Sequence, residues 1–156
     1  MSSGRRKKPE IQKKNNLSLK EILSRISDFN SVEELEKQEK FELVAFKFNE
    51  INLILEKRVA ARIIVIRLIN SFNTNALKIE KDKGSLLSIA NEFNRKSIGI
   101  KSTIIEEEKN PLIVFSIEEI AINESMLNLS GDSLRMLAAI LAGAPTLFEK
   151  LGIAKD

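Results

Sequence analysis

The sequence contains no cysteine, histidine, tryptophan or tyrosine. Without cysteine it has no disulfide, no thiolate nucleophile and no cysteine-ligated metal site. Without histidine it lacks the most frequent general acid-base and the most frequent metal ligand of proteins. Catalysis would therefore depend on aspartate, glutamate, lysine or serine alone. We predict a protein that is not an enzyme and that binds no metal and no cofactor.

Long apolar runs are also missing. The most apolar internal stretch, 59–72, is interrupted by Arg62, Arg67 and Asn70, whereas a membrane span needs about 20 apolar residues. The first sixteen residues are polar and basic, without the apolar segment of a secretory signal. We expect no membrane segment and an intracellular, cytoplasmic location. A nuclear location is the alternative for a eukaryotic or viral source, because residues 5–9 fit a basic import signal.

Positive charge is concentrated at the start of the chain. Residues 1–20 carry seven basic and one acidic side chain, a net charge of +6, and the remaining residues carry a net charge of −3. So polar a segment does not fold alone, which predicts a flexible basic arm over 1–16 and a single domain over 17–156. Such an arm would bind the phosphate backbone of nucleic acids with little sequence preference. Its basic residues are Arg5, Arg6, Lys7, Lys8, Lys13 and Lys14.

The central segment 32–72 contains no glycine or proline, and its apolar residues recur at helical spacing. We predict one long central helix there, about 60 Å long if it is unbroken. Because this exceeds a small domain, the helix would either break near 49–52 or 57–58, or be covered by a second copy of the chain. The stripe predicted as a homo-oligomer interface consists of Phe48, Ile51, Leu55, Val59, Ile63 and Ile66.

A competing interpretation makes residues 62–69 a buried strand, because β-branched side chains suit a pleated sheet. We favour helix, since Ala60, Ala61 and Leu68 continue the helical stripe. Elsewhere, capping and breaker residues predict short helices and a hairpin within 98–117. The predicted helices cover 18–29, 85–94 with Ser85 as its cap, 131 to a stop at 143–145, and 146–151. The expected fold is mostly α with a small β-hairpin, an α+β fold on a helical core.

Two groups of residues suggest chemistry. Gly131-Asp132-Ser133-Leu134 resembles the signature of the GDSL esterases, which implies a serine nucleophile activated by aspartate and histidine. The chain contains no histidine that could activate this serine, and a role as a helix cap accounts for the same aspartate and serine. Glutamates 106–108, 118 and 119 flank the predicted hairpin loop and suggest Mg²⁺ or Ca²⁺ binding, but solvated loop carboxylates are the more frequent case. We predict neither a catalytic nor a metal site.

Three arginines of the central segment, Arg58, Arg62 and Arg67, are the candidate nucleic-acid contacts of the folded body. The structural alternative, which we favour, is pairing with acidic residues, either on a neighbouring helix or with Glu50 and Glu56 as local partners. The leading hypothesis is a non-enzymatic, homo-oligomeric assembly protein that binds nucleic acid through its basic arm. The second is a protein–protein adaptor or structural assembly subunit with a solubilising tail, and a minimal carboxylate or lysine enzyme is the least favoured.

Overall fold

The computed structural model describes residues 17–97, 99–106, 111–123, 126–127 and 129–153. The predicted basic arm, 1–16, lies outside the described residues. The helices are α1 (Leu19–Ser24), α2 (Lys83–Lys96) and α3 (Gly131–Ile153), and a short 3-10 turn spans Thr74–Ala76. The strands are β1 (Phe29–Gln38), β2 (Phe41–Phe48), β3 (Ile51–Ala60), β4 (Ile63–Asn73), β5 (Ile100–Ile105) and β6 (Leu112–Ala121).

The six strands form one antiparallel sheet in the order β1-β2-β3-β4-β6-β5. The predicted helical core is therefore wrong. The segment 32–72, expected to be one long helix, forms most of β1 through β4. The strand interpretation of 62–69 was the correct one. The fold is α+β with an extensive sheet rather than a helical protein with a small hairpin.

The first four strands are joined by tight two-residue turns that contain no glycine or proline. Asn49 and Glu50 both have positive φ, 47° and 64°, and Ala61 has φ 50°. Positive φ at the central residues gives a turn whose twist matches that of the flanking strands. One expected break, near 49–52, coincides with the turn between β2 and β3, but the turn between β3 and β4 lies at 61–62 rather than 57–58. Because glycine and proline are absent from these turns, neither residue marks their positions in the sequence.

Every second side chain of the central strands is buried. In β4 the buried residues are Ile64, Ile66, Leu68 and Asn70, which all lie on one face of the sheet. This period of two was hidden in the sequence because the alternate positions are also largely apolar. Counting residues from both faces together produced an apparent spacing of three and four.

The predicted hairpin is confirmed by the pairing of β5 with β6. A short helix begins after Ser18, whose Oγ accepts a hydrogen bond from the Glu21 backbone N–H at 3.2 Å. The N-cap of α2 is Asp82 rather than Ser85, because the Asp82 carboxylate accepts the Ser85 N–H at 3.0 Å. The stop predicted at 143–145 is wrong, since α3 continues through Pro145.

Packing against the sheet explains why α3 tolerates an internal proline. Pro145 removes one backbone hydrogen bond of the helix, but it is buried beside Ala144 and Phe148. Phe148 also contacts Phe93 of α2 and Phe115 of β6, and the centroids of the three rings lie 5.3 to 5.9 Å from one another. The three rings join both long helices to one face of the sheet, which is the core of the described structure.

Among the described residues, α3 is long and apolar enough to span a membrane by length and composition, with a mean hydropathy of 1.4 over its most apolar window. The core helix of a folded domain passes the same test. Here one side of α3 packs on the sheet through Leu134, Ala138 and Leu141. The composition of α3 therefore carries no conclusion about a membrane.

Candidate functional site

The opposite face of the sheet is the largest feature that the core does not use. Helices α1, α2 and α3 all contact the face that carries the buried side chains. No helix of the described residues packs on the other face, which we call the free face. Strand pairing decides which residues share it, because directly opposed residues of antiparallel strands point to the same side.

The free face carries many apolar side chains, spread over every strand from β2 to β6, and all of them are half-buried or exposed. A surface patch of this kind marks an interaction site more often than a solvated surface. Its apolar members are Phe41, Leu43, Ala45, Ile54, Ile63, Val65, Ile69, Ile105, Leu112, Val114 and Ile120. Ile120, near the end of β6 and beyond its pairing with β5, is 63% exposed.

A row of charged residues crosses the middle of the free face at right angles to the strands. Glu56 pairs with Arg67 across β3 and β4, and Arg67 pairs with Glu118 across β4 and β6. Arg67 Nη2 donates to Glu118 Oε1 at 2.8 Å. In the same row Leu43 of β2 stands beside Glu56, and Glu36 of β1 stands beside Leu43. We call this row, Glu36, Leu43, Glu56, Arg67 and Glu118, the charged row, because four of its five residues are charged.

Electrostatic contacts involve three members of the charged row, Glu56, Arg67 and Glu118. The hydrogen bond to Glu118 is the largest influence on Arg67 and raises its pKa; desolvation opposes it, and the negative charges of Glu118 and Glu56 add smaller contributions that raise it. Arg58 Nε lies 3.5 Å from Glu56 Oε1, and the Glu56 side chain is only 12% exposed. Glu56 is thus a nearly buried carboxylate between two arginines.

The three predicted nucleic-acid contacts of the body have different surroundings. Arg58 approaches Glu56 and also lies over the Phe41 ring, 5.1 Å from its centroid. Arg67 belongs to the charged row. Arg62 is exposed in the turn between β3 and β4. Two of the three arginines are therefore engaged by groups of the chain itself, as the structural alternative expected.

The stripe predicted as an oligomer interface is divided by the sheet. Phe48, Leu55 and Ile66 are 8%, 0% and 5% exposed and belong to the core. Ile51 and Val59 are half-buried at the two ends of β3, on the core side. Ile63, at 41% exposure, lies on the free face. The six residues do not form one continuous surface, because the segment is not helical.

The two edges of the sheet are protected. Strand β1 carries many charged residues, and its pairing with β2 is interrupted by bulges between Asn30 and Glu33 and between Glu34 and Glu36. At the other edge, the Asn94 side chain binds the backbone of Ser102 in β5. Its Oδ1 accepts the Ser102 N–H at 2.6 Å and its Nδ2 donates to the Ser102 carbonyl at 3.0 Å.

The described residues contain no group of three or more acidic side chains, histidines or cysteines placed to hold a metal ion, and Glu107 and Glu108 lie outside them. Ser133 occupies the first turn of α3, where its backbone N–H is 3.3 Å from Ser130 Oγ. An open recess of about 1050 Å³ is lined partly by Asp82. The Ser85 hydrogen bonds lower the pKa of this carboxyl.

Sequence reasoning missed the free face and its charged row. Both depend on strand register, since Glu56 and Arg67 are eleven positions apart in the chain and Arg67 and Glu118 are 51 apart. The available signal was the run of β-branched residues at 62–69, because a strand reading would have placed Ile63, Val65, Arg67 and Ile69 together on one face.

Comparison with known proteins adds little. No protein-family model matches the chain, and no curated protein matches it. Among solved structures, the chain is similar to the crystal structure of YbjN from E. coli, whose own description as a transcription regulator is provisional. The two share 9% sequence identity with a TM-score of 0.38, over 75% of this chain and 78% of that chain. So distant a likeness carries no argument about function.

Proposed function

We propose that the protein is a non-enzymatic assembly protein whose free face binds another protein surface. The observation that carries the proposal is the combination on one sheet face of a broad apolar area and the charged row. Apolar area supplies the driving force of association. Fixed charges within it discriminate between partners and set their orientation, because a partner that leaves a desolvated charge unpaired is penalised.

The absence of cysteine from the chain allows a direct test of whether the free face is covered. Ser116 lies on the free face opposite Ile69, and Ala139 is exposed on the outer side of α3. Single variants Ser116→Cys and Ala139→Cys each introduce the only thiol. We would measure their labelling by a bulky maleimide, both in the purified protein and in an extract of cells that express it.

The proposal predicts that labelling of Ser116→Cys is slowed about tenfold or more relative to Ala139→Cys in at least one of the two settings. The two thiols should react at the same rate in urea, where both are exposed. Equal rates under native conditions, in the purified protein and in the extract alike, would refute a protein-binding role for the free face.

A second candidate function is binding of nucleic acid by the basic segment. The observation that favours it is the separation of a +6 segment at 1–20 from a remainder of −3. Because Arg58 and Arg67 are paired with carboxylates, this binding would depend on Arg5, Arg6, Lys7 and Lys8 rather than on the body. It would be salt-dependent and nearly independent of sequence.

Titration of labelled RNA and DNA over a salt series tests this second function. Replacing the four residues 5–8 by glutamine should weaken binding at least tenfold and flatten the slope of log K against log salt by about 0.9 per lost contact on duplex DNA. Arg58→Gln is the control and should leave binding unchanged. Equal binding by the wild type and the fourfold variant would exclude the basic segment as the binding element.

A further inference from the structure

We infer that the partner of the free face is a second copy of this chain, related by a two-fold axis that runs parallel to the strands between β3 and β4. This inference rests on the proposed function and names the occupant of the same surface. Two sheets would then stack face to face as in a β-sandwich, about 10 Å apart. In this arrangement β3 of one copy lies over β4 of the other, β2 over β6, and β1 over β5.

The charges of the free face are balanced, as self-association requires. Its basic members are Lys47, Arg58, Arg67 and Lys101, and its acidic members are Glu33, Glu36, Glu56 and Glu118. A surface of one sign would repel its own copy. A balanced surface binds itself only if the symmetry axis brings unlike charges together.

Strand register shows that the axis parallel to the strands does so for Glu56 and Arg67, while Glu118 faces Leu43 of the other copy and keeps its own bond to Arg67. Rotation about this axis leaves each row of side chains at the same position along the strands and reverses the order of the strands across the sheet. Glu56 of one copy then faces Arg67 of the other, and the apolar pair Ile54 and Ile69 face each other in the next row. The two contacts occur twice, once on each side of the axis.

The other in-plane axis, perpendicular to the strands along the charged row, gives the opposite result. It keeps the strand order and therefore places Glu56 over Glu56, Arg67 over Arg67 and the acidic strand β1 over β1. Like charges at the centre of a desolvated interface are strongly unfavourable. Charge thus selects one of the two face-to-face arrangements.

The same axis brings the two ends of the sheet together. Glu33 of β1 and Lys101 of β5 lie at opposite ends of one row, which also contains Ile54 and Ile69. Reversal of the strand order sets Glu33 near Lys101 of the other copy. Stacked sheets cross at about 30°, which shifts the edges by roughly one row, a distance that side chains of this length span.

The size of the free face is sufficient for a stable pair. Six strands about 4.8 Å apart give a width of about 24 Å, and five rows of side chains, about 6.8 Å apart, give a height of about 27 Å. The plane area is then about 650 Å² per copy and about 1,300 Å² for the pair, within the range of specific interfaces. The outer side of α3 also exposes Met136, Ile140 and Leu147, but it has no comparable charge pattern and serves here as the control surface.

Sedimentation velocity of the full chain over a concentration series tests the inference, with interference optics because the chain has no tryptophan or tyrosine. We expect a species of twice the 17.6 kDa chain mass. Ile54→Asp should weaken association at least a hundredfold while the far-ultraviolet circular dichroism is kept. The matched control Ile140→Asp, on α3, should leave association unchanged. A dimer lost with Ile140→Asp but kept with Ile54→Asp would overturn the inference.

A charge exchange tests the orientation and does not depend on the apolar variant folding. Glu33→Lys alone and Lys101→Glu alone each create two like-charge contacts in their own pairs, so each should associate about tenfold more weakly than the wild type. An equimolar mixture should form mixed pairs with unlike contacts and associate about as tightly as the wild type. A mixture that associates no better than the single variants would contradict the axis even if the protein dimerises.

The outcomes separate this inference from the proposed function. A monomer whose Ser116→Cys thiol is slowed only in the cell extract would refute the second copy but keep a protein-binding face. A monomer whose Ser116→Cys thiol is slow at every dilution, and becomes fast when residues 1–16 are removed, would show that the chain covers its own face. That result would refute both.

Discussion

The two faces of the sheet are built from the same strands and largely from the same residue types, yet only one is covered by helices. Neighbouring residues of β6 show the contrast. Phe115 is fully buried among the rings of Phe93 and Phe148, whereas Val114 points to the free face and is only half-buried. A chain of this length therefore carries more apolar sheet surface than its three described helices cover, and the excess is the best guide to its function.

The test with the largest expected effect on stability replaces one residue on each face. Phe115→Ala removes a ring from the aromatic core and should lower the free energy of unfolding by about 3–5 kcal/mol. Val114→Ala should lower it by less than about 1 kcal/mol in dilute protein, where the free face is uncovered. Urea unfolding followed by far-ultraviolet circular dichroism measures both. Similar losses for the two variants would mean that the free face is packed within a single chain.

Two glycines of α3 provide the same contrast on the covering helix. A Cβ added at Gly152 would lie 2.6 Å from Ile79 Cγ2, so Gly152→Ala should lower the free energy of unfolding by about 1–3 kcal/mol. A Cβ at Gly143 would have no neighbour within 4 Å. Gly143→Ala should therefore raise the free energy of unfolding by about 0.5–1 kcal/mol, because alanine is the better helix former. Equal signs for the two variants would contradict the assignment of the sides of α3.

The link between α2 and the sheet edge is weaker and also testable. Asn94→Ala leaves the backbone N–H and carbonyl of Ser102 without their side-chain partner and should lower the free energy of unfolding by about 1–2 kcal/mol. Amide hydrogen exchange at Ser102 should become faster in the variant, while exchange in β3 should change only with global stability. Unchanged exchange at Ser102 would show that Asn94 does not protect this edge.

The smallest expected effect is the pH dependence of the stability that Asp82 and Glu92 of the α2 region contribute. Hydrogen bonds from Arg95 and Lys96 lower the pKa of Glu92, and those from Ser85 lower the pKa of Asp82. A lowered folded-state pKa stabilises the protein above the unfolded-state values, near 4.3 and 3.9, and the contribution is lost as the pH falls through the folded values. The stability difference between the wild type and the double variant Asp82→Asn, Glu92→Gln should thus be largest at neutral pH and shrink below about pH 4. A difference that grows in acid would contradict the assigned directions.

The elements that the sequence predicted correctly are those with local signals. The helix start at residue 18 and the hairpin of β5 and β6 are encoded by residues close in the chain. The turns between β1 and β4 are not, because Asn49, Glu50 and Ala61 adopt positive φ without glycine. The candidate site was out of reach for a related reason. Glu56, Arg67 and Glu118 meet only through register, and no spacing within the chain indicates which face the helices leave open.

The protected edges set a limit on how far association can proceed. Bulges and charges guard β1, and Asn94 occupies the backbone groups of Ser102 in β5. A sheet with an unprotected edge can pair with strands of further copies and so extend into a filament. The proposed two-fold pairing would cover the apolar sheet face that the described helices leave open, and it would leave both protected edges outward. Growth would then stop at two copies, and the protein is expected to give clear solutions, with no lag phase and no fibrillar product, at concentrations where the pair is saturated.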